Sequence, residues 1–105
     1  MDSESRIRLL QGYIQEDFSD AEAKYMLALE YIKLENDIEA LKWMEELWKN
    51  HGNYLPNYYH LGKLLERMGD TKRAFEVYEK GCDLAKSCGD LHSFSELKTA
   101  LDILD

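Results

Sequence analysis

Apolar residues recur three and four positions apart along almost the whole chain, and polar residues fill the positions between them. This spacing places the apolar side chains on one face of an α-helix, which has about 3.6 residues per turn. Residues that favour turns interrupt the pattern between successive stretches. The pattern therefore predicts six helices, at about residues 4–16, 20–34, 37–50, 55–68, 71–87 and 91–104.

The breaks between the predicted helices carry capping residues. Two breaks have capping-box spacing, in which a side-chain oxygen accepts a hydrogen bond from a first-turn amide: Ser19 with Glu22, and Asn36 with Glu39. Gly69 and Gly89 each precede an aspartate, so a left-handed helix stop is followed at once by a new N-cap. Pro56 suits the first turn of the fourth helix. Short reversals of this kind predict helices that pack in pairs.

Two stretches of the chain match each other at an offset of 34 residues. The matching positions include Leu27 with Leu61, Ala28 with Gly62, Ala40 with Ala74, Tyr25 with Tyr59, and Met44 with Tyr78. A repeat of this length cannot bury its apolar side alone and must stack on neighbouring units. The small residues at positions 28, 40, 62 and 74 predict the places where two helix backbones approach closely.

The first and last predicted helices extend this pattern as half-repeats that cap the array. Arg6 takes the place of Ala40 and Ala74, which need to be small only where a preceding helix packs on them. The last helix carries one apolar stripe, and Lys98 and Thr99 are expected to face away from it. That stripe consists of Phe94, Leu97, Leu101 and Leu104.

The family can be recognised from these residues. The spacing Tyr58-x-x-Leu61-Gly62-x-x-Leu65, followed by Ala74-x-x-x-Tyr78, resembles the tetratricopeptide repeat, and so does Lys24-x-x-Leu27-Ala28-x-x-Tyr31 followed by Ala40-x-x-x-Met44. Lys24 stands where the family usually has an aromatic residue. The resemblance implies an all-α fold, a right-handed α-α superhelix (TPR solenoid) of about six helices. The chain would form a single domain, 1–105, with a capping helix at 1–18, repeats at 21–54 and 55–88, and a second capping helix at 90–105.

Charge narrows the choice of partners. Thirteen lysines and arginines stand against 21 aspartates and glutamates, so the net charge is −8 and general affinity for nucleic acid is not expected. The start of the chain lacks the positive charge of a signal peptide, and no stretch approaches the roughly 20 apolar residues of a membrane span. We therefore expect a cytoplasmic protein that binds neither nucleic acid nor membrane.

The resemblance also implies a binding groove, which in this family is lined by the first helix of each pair. Carried onto this chain, the groove residues are Tyr25, Leu29, Ile32, Lys33, Tyr59, Lys63, Glu66 and Arg67. Two tyrosines would lie one above the other, and lysine and arginine flank them, which suits a peptide with apolar and acidic side chains. The alternative, of about equal weight, is that the tyrosines only pack between helices.

These features predict a non-catalytic adaptor or scaffold that binds a protein or peptide, as a monomer or weak homodimer. A second hypothesis is an assembly unit that self-associates through its helical ends or through Trp43, which lies apart from Trp48 on the third helix. Cys82 continues an apolar stripe and is expected to be buried. Cys82, Cys88 and His92 do not have the spacing of a zinc site, and no motif of a catalytic or cofactor site is present, so no metal, cofactor or enzymatic activity is expected.

Overall fold

The structure is a computed structural model, and it describes residues 1–104. These residues form helices α1 to α6 and contain no strand, which confirms the predicted all-α fold and its six helices. The observed bounds are α1 Ser3–Glu16, α2 Ala21–Lys33, α3 Asp37–Asn50, α4 Pro56–Arg67, α5 Thr71–Cys88 and α6 Leu91–Leu104. The helices fall into two compact units, Met1–Gly52 with α1 to α3, and a second unit from Asn53 onwards with α4 to α6.

Most of the predicted helix ends are confirmed, with one correction. Asn36 accepts a hydrogen bond from the Glu39 amide at 3.3 Å, as expected for an N-cap. Ser19 does not cap α2, because Asp20 takes that position and accepts from the Ala23 amide at 2.9 Å. The Ser19 amide and hydroxyl instead donate to the Asp17 carboxylate within the preceding turn.

Left-handed backbone follows α2, α4 and α5. Gly69 and Gly89 have φ values of 86° and 72°, as the sequence predicted, and the aspartate after each caps the next helix. Glu35 stands 34 positions before Gly69 and has a φ of 60°. A side chain in this region costs about 1–2 kcal/mol relative to right-handed backbone. The first repeat therefore contains a strained residue where the second has glycine.

In the first unit, α2 packs against both α1 and α3. Its core holds Leu10, Ile14, Ala23 and Leu27, and Trp43 packs partly buried against this cluster. The α3 residues that face α2, including Ala40, Met44 and Leu47, have no solvent exposure. The predicted close packing at Ala28 and Ala40 is confirmed by their complete burial.

Lys24, the lysine in an aromatic position of the repeat, is buried with 1% of its surface exposed. Its Nζ lies 2.9 Å from Glu46 Oε2, 3.0 Å from His51 Nε2 and 3.8 Å from the centre of the Phe18 ring. Burial would raise the pKa of the Glu46 carboxyl, but hydrogen bonds from Lys24 and Asn50 outweigh it and hold that pKa below its usual value. The cation is thus accommodated by a carboxylate and by an aromatic face.

In the second unit, α5 packs against α4 and α6, and α4 also touches α6. The phenol ring of Tyr78 lies on Gly62, and Gly81 lies against Tyr58 and Leu97. Tyr58, near the start of α4, contacts Gly81 late in α5, whereas Gly62, further along α4, contacts Tyr78 earlier in α5. The two helices are therefore antiparallel. Because glycine has no side chain, the backbone at each of these positions lies directly against a large side chain of the neighbouring helix.

Candidate functional site

The eight residues predicted for the groove lie on two helices, four on α2 and four on α4. On α2, Tyr25, Leu29 and Ile32 are half-buried and Lys33 is exposed. On α4, Tyr59, Lys63 and Glu66 are half-buried and Arg67 is exposed. Each set recurs about every four residues and so follows one side of its helix. The stacking of Tyr25 on Tyr59 stays a prediction.

The second unit contains a cleft of about 280 Å³ between α4 and α6. From α4, Tyr59 and Lys63 line it, so the structure brings two of the predicted residues into one concave surface. From α6, six residues complete the lining: His92, Ser95, Glu96, Thr99, Ala100 and Ile103. The walls combine an aromatic ring and an aliphatic side chain with charged and hydroxyl groups, as in sites that bind side chains of a ligand.

Tyr59 is held in place by its neighbours. The centre of its ring lies 6.5 Å from that of Tyr78 at an interplanar angle of 41°, and 5.8 Å from the His60 ring in an edge-to-face arrangement. The Lys63 ammonium lies 5.4 Å from the centre of the Tyr59 ring. These distances allow aromatic and cation–π attraction, which fixes the phenol without burying it completely. The cleft therefore presents an aromatic ring that three neighbouring side chains contact.

Glu66 has a structural contact that the sequence analysis did not foresee. The hydroxyl of the buried Tyr78 donates a hydrogen bond to the Glu66 carboxylate. Burial, together with this carboxylate, raises the pKa of Tyr78, so its hydroxyl stays protonated and remains a donor. The Lys63 ammonium lies 3.7 Å from the same carboxylate. Glu66 thus contacts both Tyr78 and Lys63, and of these three residues Lys63 lines the cleft.

The imidazole of His60 lies beside this region on α4. Burial lowers the pKa of His60, and the negative charge of Glu96 on α6 opposes that change. Burial prevails, so the neutral form of this histidine is favoured at neutral pH. Lys63 is then the cationic side chain that α4 contributes to the cleft lining.

The sequence pattern did not indicate the α6 side of the cleft, because the apolar stripe of α6 predicts only a capping helix. The helix-capping residues supply the missing signal, since Asp20 caps α2 and the Asp90 side chain accepts from the Ser93 amide at the start of α6. Counted from these caps, Ser95 and Thr99 stand where Tyr25 and Leu29 stand on α2. Thr99 accordingly lies in the cleft, although it was expected only to face away from the apolar stripe.

Other chemistry is sparse in the described part of the chain. Within residues 1–104, no three histidine, cysteine or acidic side chains are placed to hold a metal ion. Cys82 is buried, as predicted, and Cys88 is exposed, and both thiols are free. Over the same residues, no helix combines the length and the apolar character that crossing a bilayer requires.

Comparisons with known proteins agree with this architecture. The family model described as tetratricopeptide repeat matches residues 55–88. The crystal structure of a tetratricopeptide repeat domain protein from Salinibacter ruber is 37% identical, with 82% of this chain and 96% of that chain covered and a TM-score of 0.79. No curated protein matches this chain.

Two further solved structures are less similar in sequence and show likeness of fold alone. A solution structure from Bordetella parapertussis is 24% identical, with 93% of this chain and 85% of that chain covered and a TM-score of 0.77. The crystal structure of the MamA protein is 22% identical, with 97% of this chain but 58% of that chain covered and a TM-score of 0.74.

Proposed function

Because this chain belongs to the tetratricopeptide repeat family, whose members generally mediate protein interactions, we propose that it binds a peptide segment of a partner protein in the α4–α6 cleft. The family is generally non-catalytic, and the proposal includes no reaction. It describes a cytoplasmic adaptor with two repeats, at 21–54 and 55–88, between two capping helices.

One observation carries the proposal, which is the concave surface that Tyr59 and Lys63 share with α6. Tyr59 and Ile103 offer apolar area to a side chain of the peptide, and Lys63 offers a cation to an acidic neighbour. Ser95 and Thr99 can exchange hydrogen bonds with the peptide backbone. The partner is therefore a segment in which an apolar residue stands close to a carboxylate.

The proposed groove on α2 follows from the same reasoning. Tyr25, Leu29, Ile32 and Lys33 present an aromatic, two aliphatic and one basic side chain along one side of that helix. These four residues are the proposed contact set of the first unit, and the set on α4, which comprises Tyr59, Lys63, Glu66 and Arg67, is that of the second unit. We assign the larger share of binding to Tyr59 and Lys63, because both line the cleft.

Selection from a displayed library of random peptides would test the proposal, with the whole chain as bait. We expect enriched peptides that pair an apolar residue with aspartate or glutamate, and NMR shift changes centred on Tyr59, Thr99 and Ile103. Charge reversal by Lys63→Glu should weaken binding at least about tenfold. Lys72→Glu reverses an exposed charge on α5 outside the cleft and serves as the matched control.

Two results would contradict this function. Peptides that shift resonances elsewhere and bind the Lys63→Glu variant as well as the original chain would move the site to another surface. The competing hypothesis is self-association of the chain through its helical ends or through Trp43. A dimer in light scattering that Tyr59→Ala leaves intact, with no enriched peptide, would favour that role instead.

A further inference from the structure

The first unit contains a second cleft, of about 510 Å³ between α1 and α2, which the proposed peptide site does not use. Its lining includes Leu9, Leu10 and Tyr13 from α1, with Ala23 and Met26 from α2. Leu9 is 42%, Tyr13 47% and Met26 43% exposed. Three large apolar side chains are thus half open to solvent in one concave surface, which is typical of a surface that a partner covers.

The second unit shows what occupies the equivalent position there. Tyr78 and Gly81 of α5 stand two repeat lengths after Leu10 and Tyr13 of α1. Both are buried, because α4 packs on that face of α5 and also touches α6. Within residues 1–52, no helix packs on α1 and α2 at the corresponding position, and the cleft lies there instead. The geometry of the repeat therefore calls for a helix.

The charges around this cleft select the kind of helix. Asp20 and Glu22 lie in its lining, and Arg6 at the other end is paired with Glu30 at 3.2 Å. Glu30 is 8% exposed, and its Oε2 is buried without a hydrogen-bond donor. Two carboxylates thus lie at one end of the lining, and the arginine at the other end is already paired with Glu30, which favours a basic occupant. A second copy of this chain is a poor occupant, because each copy carries a net charge of −8.

From these observations we infer that the α1–α2 cleft is a docking site for an amphipathic helix of a basic partner protein. The helix lies antiparallel to α1, as α4 lies to α5. Its start is near Asp20 and Glu22, where lysine or arginine is favoured. Tyr13 of α1 is equivalent to Gly81 of α5. Gly81 contacts Tyr58 of α4. The docking helix consequently carries a small residue at the position that Tyr58 holds on α4. This surface is independent of the peptide cleft in the second unit.

A synthetic helix can test the inference in trans. The probe is an amidated peptide with the α4 sequence from 55 to 69, with Tyr58→Ala, preceded by two lysines. The control probe has two glutamates in place of the lysines. The isotope-labelled full chain is titrated with each peptide and followed by NMR. We expect saturable shifts at Leu9, Tyr13 and Met26 with the lysine probe, and at least about tenfold weaker binding of the glutamate probe.

Protein variants make the assignment specific. Tyr13→Glu places a carboxylate in the apolar wall and should weaken the lysine probe at least about tenfold. Because Tyr13 is half-exposed, the variant should keep its fold, which circular dichroism checks. Tyr59→Ala, in the peptide cleft, should leave binding of the probe unchanged. The inference is overturned by absence of saturable shifts at α1 and α2, by equal binding of both probes, or by a homodimer that protects Tyr13 without any probe.

Discussion

Tyr78 lies against Gly62 so closely that a Cβ added at residue 62 would come within 2.1 Å of ring carbon Cε1. The same two positions in the first repeat hold Ala28 and Met44, both completely buried. In the second repeat, therefore, a glycine without a side chain faces an aromatic ring. In the first repeat, the corresponding residues carry a methyl group and an unbranched side chain. The total volume at this contact is shared differently in the two helix pairs.

The first prediction follows from this contact. Gly62→Ala should lower the free energy of unfolding by at least about 2 kcal/mol, since the gain in helix propensity is smaller than the cost of displacing a buried ring. Adding Tyr78→Met should recover much of the loss, because the pair then matches Ala28 and Met44. Gly12→Ala is the control, as a Cβ there meets nothing within 4 Å. Urea denaturation followed by circular dichroism measures all of these variants. A Gly62→Ala chain as stable as Gly12→Ala would contradict the contact.

Lys24 gives a second prediction, because its ammonium is buried beside Glu46. Glu46→Gln should lower the free energy of unfolding by about 1–3 kcal/mol, since the buried cation loses its counter-charge. Glu76→Gln is a suitable comparison, because Glu76 pairs at 3.7 Å with Arg73 on an exposed surface. That variant should change stability by less than about 0.5 kcal/mol. Equal changes in the free energy of unfolding for both variants would mean that the buried pair contributes no more to stability than the exposed pair.

Glu35 predicts a stabilising substitution. Its φ of 60° is unfavourable for any residue with a Cβ, and Gly69 holds the equivalent position in the second repeat. Glu35→Gly should raise the free energy of unfolding by about 0.5–1 kcal/mol, while Gly69→Ala should lower it by about 1 kcal/mol. Thermal unfolding of both variants checks the opposite signs. A destabilising Glu35→Gly would show that the side chain contributes more than the backbone strain costs.

The two thiols should differ in reactivity. Burial raises the pKa of the Cys82 thiol, which is 7% exposed, whereas Cys88 is exposed near the end of α5. Ellman's reagent should therefore modify Cys88 rapidly in the native chain and reach Cys82 only through opening of the second unit. In Cys88→Ser the rapid phase should vanish, and urea should restore a fast reaction at Cys82. A rapid phase that survives in Cys88→Ser would contradict the burial of Cys82.

His60 predicts the sign of a pH effect. Burial lowers the pKa of His60 below its ordinary value of 6.5, so below that pH the unfolded chain binds more protons than the folded chain. The stability from this residue is present above about pH 6.5 and is lost as the pH falls towards 5. His60→Gln should flatten the decline. Glu96→Gln should steepen it, because the carboxylate opposes the effect of burial. Thermal unfolding between pH 7 and 5 measures both slopes, with His92→Gln as an exposed control.

Local patterns account for what the sequence predicted well. The helical period and the Gly–Asp pairs depend on neighbouring residues, so they predicted the six helices and the left-handed stops at Gly69 and Gly89. Ser19 was chosen as a cap because two competent residues are adjacent, and spacing alone does not distinguish them. The carboxylate and imidazole partners of Lys24, Glu46 and His51, come from the end of α3 and the following turn, far along the chain, so no local pattern indicated them.

The cleft was predicted only on its α4 side for a similar reason. Tyr59 and Lys63 follow from the repeat, because Tyr25 and Tyr59 match at its fixed offset. Ser95 and Thr99 have polar side chains that resemble an ordinary solvent-facing surface, and the longer α5 shifts α6 out of the repeat offset. Only the alignment of the helix caps brings them into register with α2.

The packing of a glycine at residue 62 against a large ring at residue 78 also affects which helices of the chain pair with each other. Repeats of similar sequence tend to exchange equivalent segments while they fold. Were α5 to pack on α2, the Tyr78 ring would collide with the Ala28 methyl group, and α3 on α4 would leave a void beside Met44. Each helix therefore packs best with the partner from its own repeat, and exchanged pairs are disfavoured.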